Sequence, residues 1–157
     1  LNGDTETGVS IQKMFPKLDA GHILAQEKVK ILPDETAPEL RLRLIKIGGN
    51  LLVKLLQTPS ASGISPFAGG EKQNELQATY CKKIKKEDGL IDLNDDPVKN
   101  YNKFRAHAAW PRTFFLKNNK RVIITSAKFE DGKFVIEKVL PEGKKEQNYK
   151  NSIYAMA

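Results

Sequence analysis

The apolar positions change period several times along the chain, and each change predicts an element. Gly8 to Phe15 (GVSIQKMF) puts Val9 and Ile11 on one face with polar residues between them, the two-residue period of a short strand. His22 to Leu32 (HILAQEKVKIL) reads as a second strand, or as two short ones broken at Gln26–Lys28. Pro16 to Gly21 lies between them, so the pair forms a hairpin-like unit with a loop. The period then lengthens. Leu40, Leu44, Ile47, Leu51 and Leu55 follow helical spacing, widened by Ile45, Leu52 and Leu56, which predicts a helix packing one face on a sheet. Thr36 is its expected N-cap, with Glu39 completing a capping box and Pro38 harmless in the first turn. Gly48-Gly49 weakens the middle by roughly 1 kcal/mol per glycine and leaves room for close approach to a strand.

Gln57 to Glu71 is rich in Pro, Gly and Ser and reads as a linker or extended crossing segment, which sets the domain boundary. Beyond it, Leu76 to Ile84 (LQATYCKKI) looks extended. Asp96 and Pro97 are the N-cap and first residue of a short helix reaching about Ala108. Thr113–Lys117, Arg121–Phe129 and Lys133–Leu140 are candidate strands. Asn118-Asn119 and Asp131-Gly132 between them are hairpin turn signals. Short strands with tight turns suggest a small barrel or curled sheet. No repeat or heptad pattern is present.

Charge sharpens the division. Residues 1–60 hold 8 Lys/Arg against 7 Asp/Glu, whereas residues 61–157 hold 18 against 12, and the whole chain of 157 residues carries +7. Between Lys99 and Lys128 there are eight basic residues and no acid. A field of one sign favours a polyanionic partner, a solvated Lys-rich surface being the alternative. No apolar run approaches the ~18–20 residues of a membrane span. The single cysteine, Cys81, excludes an intramolecular disulfide and points to a reducing cytoplasm.

Several segments together resemble one family. Gly3 to Leu24 (GDTETGVSIQKMFPKLDAGHIL) is similar to the G-D-x-E-T-G-V-T-I-x-x-M-x-x-x-L-D-T-G-D-x-L segment of folate-dependent formyltransferases. It matches at Gly3, Asp4, Glu6, Thr7, Gly8, Val9, Ile11, Met14, Leu18, Asp19, Gly21 and Leu24. Asp34–Leu40 (DETAPEL) resembles the D-D-T-A-x-E-L that opens their next helix. Ala78–Leu93 (ATYCKKIKKEDGLIDL), Asn102–Pro111 (NKFRAHAAWP) and Leu140–Lys145 (LPEGKK) resemble the C-terminal domain of the methionyl-tRNA formyltransferase branch. The resemblance runs from Gly3 to about Ser152 and rests on the order and spacing of the motifs.

It implies an α/β remnant, the end of a formyltransferase Rossmann-like domain, over residues 1–56. A linker over 57–72 and a shortened, β-barrel-like (OB-like) tRNA-binding domain over 73–157 follow. It also implies formyl transfer from N10-formyltetrahydrofolate to the amine of initiator methionyl-tRNA in translation initiation. In the family an Asn amide and a His stabilise the oxyanion, and an Asp fixes and charges the His. Asp19 stands at that position and is the catalytic candidate. Its alternative role is to hold the turn before Gly21. Phe15, Leu18, Asp19, Ala20 and Gly21 would lie against the pterin, held largely through backbone groups.

Arg105, Arg112, Lys120, Arg121, Lys144 and Lys145 are the expected nucleic-acid contacts, with Arg112, Lys120 and Arg121 the most exposed because they sit at corners and turns. Trp110 is expected to anchor the helix-to-sheet corner, base stacking being its other role. No metal is expected: His22 reads as a turn residue, His107 is given no role, and Cys81 has no nucleophile motif.

Departures set further expectations. Leu93 replaces the family's Trp, Arg112 its Gly, and His22 its Asp. Few residues separate the segments like RVIITSAKF and LPEGKK, so the C-terminal domain is expected to be cut down. The N-x-H-x-S-L-L-P segment that carries the catalytic Asn and His is not among these residues, and the first is Leu1. The expectation is a fragment, inactive by itself, monomeric and without a membrane partner. An acceptor that is a nucleotide or sugar amine, or a stand-alone RNA-binding module, remains open at this point.

Overall fold

The computed structural model describes residues 1–57, 69–150 and 152–153, and most of the expected linker lies outside them. The chain falls into two compact units. One comprises Leu1–Asp4, Leu32–Glu39 and Lys83–Ala157; the other comprises Thr5–Ile31 and Leu40–Lys82.

In the second unit, β1 (Glu6–Gln12) and β2 (Ile23–Lys30) pair antiparallel, with Val9 opposite Glu27 and Ile11 opposite Ala25. Val9 and Ile11 share the half-buried face, as their alternation predicts. The first strand ends at Gln12 rather than Phe15, because Lys13 already turns into the loop. α1 (Ala37–Gln57) begins beyond Thr36, whose N–H and hydroxyl both donate to the Glu39 carboxylate at 2.8 and 2.7 Å. Leu40, Leu44, Ile47, Leu51 and Leu55 form its half-buried stripe. Gly48 supports close approach: a Cβ there would stand 3.0 Å from Val9 Cγ1. Ile45, Leu52 and Leu56, expected to widen the face, are exposed instead. A two-stranded ribbon with strands about 5 Å apart underlies one stripe of a helix, not a wide face.

The other unit holds α2 (Pro97–Ala106) and a four-stranded antiparallel meander in the order β3 (Phe114–Lys117), β4 (Lys120–Glu130), β5 (Lys133–Pro141), β6 (Gln147–Asn148). Asp96 caps α2 by accepting from the Lys99 N–H at 2.8 Å, with Pro97 at the first position. Asn118 and Asn119 take φ of 53° and 59°, and Asp131 and Gly132 take 50° and 73°. These left-handed pairs turn the hairpins with the twist of their strands. The register slips around Thr125, so β4 bends there and the sheet curls. Ile91, Phe115, Val122, Ile124, Ile136 and Val139 form the core, with Leu93 packed against it. Leu76–Ile84, expected to be extended, holds a 3₁₀ turn at Glu75–Gln77 and then no regular structure. No helix among the described residues is long and apolar enough to cross a membrane.

α2 is fastened to the sheet by aromatic rings. Tyr101 stacks with Phe129 at 5.6 Å and Phe104 at 6.3 Å, and Phe134 closes the cluster. The Tyr101 hydroxyl donates to Asp34 Oδ1 at 2.9 Å. Burial, then the bond to the Asp34 carboxylate, pushes its pKa up to about 12. A folded-state pKa raised above the usual 10 stabilises the fold below pH 10, and that contribution disappears as pH rises from 10 to about 12. An ultraviolet phenolate titration should therefore show a late component that Tyr101→Phe removes, and denaturant midpoints should fall more steeply across the same window in the parent than in the variant.

Candidate functional site

Asp19 sits in the loop that joins β1 to β2. The loop is closed at its neck by the Lys13 N–H donating to the His22 carbonyl at 2.9 Å. Gly21 is buried there, and a Cβ at this position would fall on the Lys13 carbonyl, so only glycine fits. Asp19 takes φ of 55°, a conformation that Asp adopts more readily than most residues. Its side chain is exposed, and one carboxylate oxygen accepts from Gln12 Nε2 at 3.2 Å. Met14, Phe15 and Leu18 point outward, while Ala20 is half-buried. Lys17 makes an exposed ion pair with Glu75 at 3.3 Å.

Two residues at this loop were not legible as site residues. Gln12 ends a strand on its polar side. Gln73 lies 52 residues beyond Gly21, and its Nε2 reaches the carbonyls of Asp19 at 2.8 Å and Gly21 at 2.7 Å. A lone Gln in a polar stretch carries no sequence signal of such a role.

The basic candidates divide into two kinds. Lys120, Lys144 and Lys145 are exposed. Arg105 and Arg121 are half-buried and tied to their own unit. Arg105 donates to the carbonyls of Leu32 and Glu35 at 3.2 and 3.3 Å and to Asn102 Oδ1 at 2.6 Å, with its guanidinium over the Tyr101 ring. Arg121 donates to the Pro111 carbonyl at 2.9 Å, and its guanidinium lies 4.0 Å from the Phe114 ring centre. Arg112 is also half-buried, at φ 65°, its carbonyl against Gly89. The expectation that Arg112 and Arg121 are the most exposed is thus corrected. For Arg121 the corner supplies the Pro111 carbonyl and the Phe114 ring, and pairing with them outweighs solvation of the side chain. An open groove still brings Arg121 and Lys144 together with Lys86, beside Glu142.

Trp110 is 57 % exposed, so Pro111, which is buried, anchors the corner instead. The smaller ring fits beneath the chain, and the indole is left in water. His107 is 2 % exposed, and burial, then the Lys103 ammonium, holds its pKa below the usual 6.5, so it packs as a neutral side chain. Cys81 is exposed. Among the described residues no group of three or more His, Cys, Asp or Glu could hold a metal ion.

Residues 1–56 match the formyl transferase family model, and residues 83–154 match that of the formyl transferase C-terminal domain. The methionyl-tRNA formyltransferase of Moorella thermoacetica is 37% identical over 131 residues, which is 83% of this chain and 41% of that protein. The chain thus spans about two fifths of the length of the curated relatives it matches. The solved methionyl-tRNA formyltransferase from Clostridium thermocellum superposes with a TM-score of 0.69 at 25% identity, covering 88% of this chain and 57% of that one. An N-formyltransferase from Helicobacter canadensis, solved with folinic acid and dTDP-3-aminofucose, has a TM-score of 0.60 at 20% identity and covers 81% of this chain and 46% of its own; it shares the fold.

Substitution separates the two kinds of cation. Arg121→Gln removes the ring contact and orphans the Pro111 carbonyl, so urea unfolding should show a loss of about 1–3 kcal/mol. Lys120→Gln should stay within about 0.5 kcal/mol of the parent.

Proposed function

The chain belongs to the formyl transferase family, and from that premise we propose that it works in formyl transfer from N10-formyltetrahydrofolate to the amino group of initiator methionyl-tRNA. The observation that carries this reading is the 37% identity to one methionyl-tRNA formyltransferase across 83% of the chain. We take residues 1–56 as the end of the catalytic domain and 73–157 as a shortened tRNA-binding domain. A single cysteine fits a reducing compartment, and we place the reaction in the cytoplasm.

The loop suits a reduced folate. Met14, Phe15, Lys17 and Leu18 are exposed, and their backbone N–H and C=O groups match the donor and acceptor edge of a pterin. Phe15 and Leu18 offer exposed apolar surface beside them. The folate supplies the formyl carbon. Asp19 does the rest that this chain offers: one carboxylate oxygen is held by Gln12, and the group stays exposed to accept from an imidazole N–H. A carboxylate there favours the imidazolium, the form that donates to a developing oxyanion. Neither an N-x-H nor an S-L-L-P segment occurs in these 157 residues, so the imidazole and amide partners must be supplied from outside them.

On the tRNA side, Lys120, Lys144 and Lys145 are the exposed cations for phosphate contact. Arg105, Arg112 and Arg121 act as the frame that presents them. Trp110, the one tryptophan of the chain, is free to stack on an unpaired base.

Three measurements test the proposal. The 157-residue chain alone should not formylate Met-tRNA, because losing one oxyanion donor already costs about 10² to 10³ in rate. Expressed from its full reading frame, the protein should formylate Met-tRNA in preference to amino-sugar nucleotides, and Asp19→Asn should lower kcat about 10²-fold or more with a smaller change in folate KM. Preference for the sugar amine would replace the acceptor proposed, and an unchanged Asp19→Asn turnover would leave Asp19 a turn residue. Thirdly, tRNA binding followed by Trp110 fluorescence should weaken steeply with salt, and changing Lys120, Lys144 and Lys145 to Gln should flatten the slope by up to about 0.9 per lysine. Salt-independent binding, or none at low salt, removes the tRNA role from this domain.

A further inference from the structure

We propose that Gln73 is a positioning residue for Asp19, acting on it through both the loop backbone and Gln12. The proposal deepens the formyl-transfer reading and rests on it. Gln73 Nε2 stands 2.7 Å from the Gly21 carbonyl, 2.8 Å from the Asp19 carbonyl and 3.1 Å from Gln12 Oε1. Three oxygens around one nitrogen fix the orientation of the amide, because the reverse would set oxygen against oxygen. The same contact orients Gln12. With Oε1 engaged by Gln73, Gln12 turns its Nε2 to the Asp19 carboxylate at 3.2 Å. Gln73 therefore holds Asp19 twice. It restrains the carbonyls on both sides of Ala20, which keeps Asp19 at φ 55°, and it sets the donor that fixes the carboxylate.

The segment carrying Gln73 is itself pinned. Glu71 exchanges both backbone hydrogen bonds with Ile23 at 2.8 and 2.9 Å. Gly70 sits at φ 123° where a Cβ would crowd His22 and the Ile23 carbonyl, so glycine admits the segment to the edge of β2. Two residues beyond the Glu71 bridge, the Gln73 side chain spans the remaining gap to the loop. An exposed acid at the tip of a ten-residue connection would otherwise sample many orientations. Small displacements of a reacting group are costly in rate, up to about 10²-fold for 1 Å.

The test has a structural arm and a kinetic arm. In the 157-residue chain, hydrogen exchange of the Lys13, Ile23 and Glu71 amides, which close the neck of the loop and pin the Gln73 segment, should quicken in Gln73→Leu and Gln73→Glu, with circular dichroism unchanged. In the protein expressed from its full reading frame, each variant should lower kcat for Met-tRNA formylation about 10- to 100-fold with folate KM little altered. Gln12→Leu should lower it too, and the double variant should be no slower than the worse single one, as members of one hydrogen-bond chain are not additive. Gln73→Lys, which keeps a donor, should recover part of the rate. Unchanged exchange in the loop, or additive kinetic effects of Gln12 and Gln73, overturns the proposal. An inactive parent protein whose Gln73→Leu loop still loosens overturns the formyl-transfer reading and leaves the hold on the loop standing.

Discussion

Backbone carbonyls in irregular segments need donors, and long side chains provide them throughout this protein. Gln73 supplies the Asp19 loop, Arg43 the end of β2 through the Lys30 carbonyl, and Asn100 the Asp92 carbonyl at 2.7 Å. Lys103 donates to the Leu90 carbonyl at 2.6 Å, Arg105 to two carbonyls before α1, and Arg121 to that of Pro111. With only two helices and six short strands among the described residues, much of the chain has no ladder of its own. An unpaired buried carbonyl costs more than a made bond gains, so these donors decide which loop shapes persist.

The same constraint changes the meaning of the charge. The run from Lys99 to Lys128 looks in sequence like a uniform basic surface. In the structure Lys103, Arg105 and Arg121 face inward to oxygens and rings, Lys99 pairs with Asp95 at 2.7 Å and Lys128 with Glu130 at 2.7 Å. Both exposed pairs are weak and yield to competing anions. Net charge governs the distant field, while close contact with a phosphate falls to the cations exposed at the surface.

Local chemistry was legible in the sequence where one or two residues dictate a backbone shape. Asp96-Pro97 marked the start of α2, and Asn118-Asn119 and Asp131-Gly132 marked the hairpins. Thr36 and Glu39 placed the start of α1, and Gly48 foretold the close strand. Features that depend on what meets across the fold were not legible. Gln73 is one polar residue among many until the chain returns past β2. The exposure of Trp110 depends on the corner having room for a proline and not for an indole. The two-residue β6 is too short for a period, and Ile45, Leu52 and Leu56 have helical spacing whether or not a sheet is wide enough to cover them. For the candidate site, the motif singled out Asp19 and its loop, while the partners that set the loop's geometry came only from the fold.

Gly21 has a consequence for the history of this loop. With the Lys13 carbonyl where a side chain would begin, every single-base change at that codon that alters the residue adds at least a carbon atom to filled space. Lys17 and Leu18, a few positions earlier, point into solvent and meet no such barrier. Mutation can therefore explore the outer surface of the loop, its charge and its greasiness, while its path through space stays fixed. Variants of this protein with an altered loop surface are more accessible by changes at the rim than by any change at the neck.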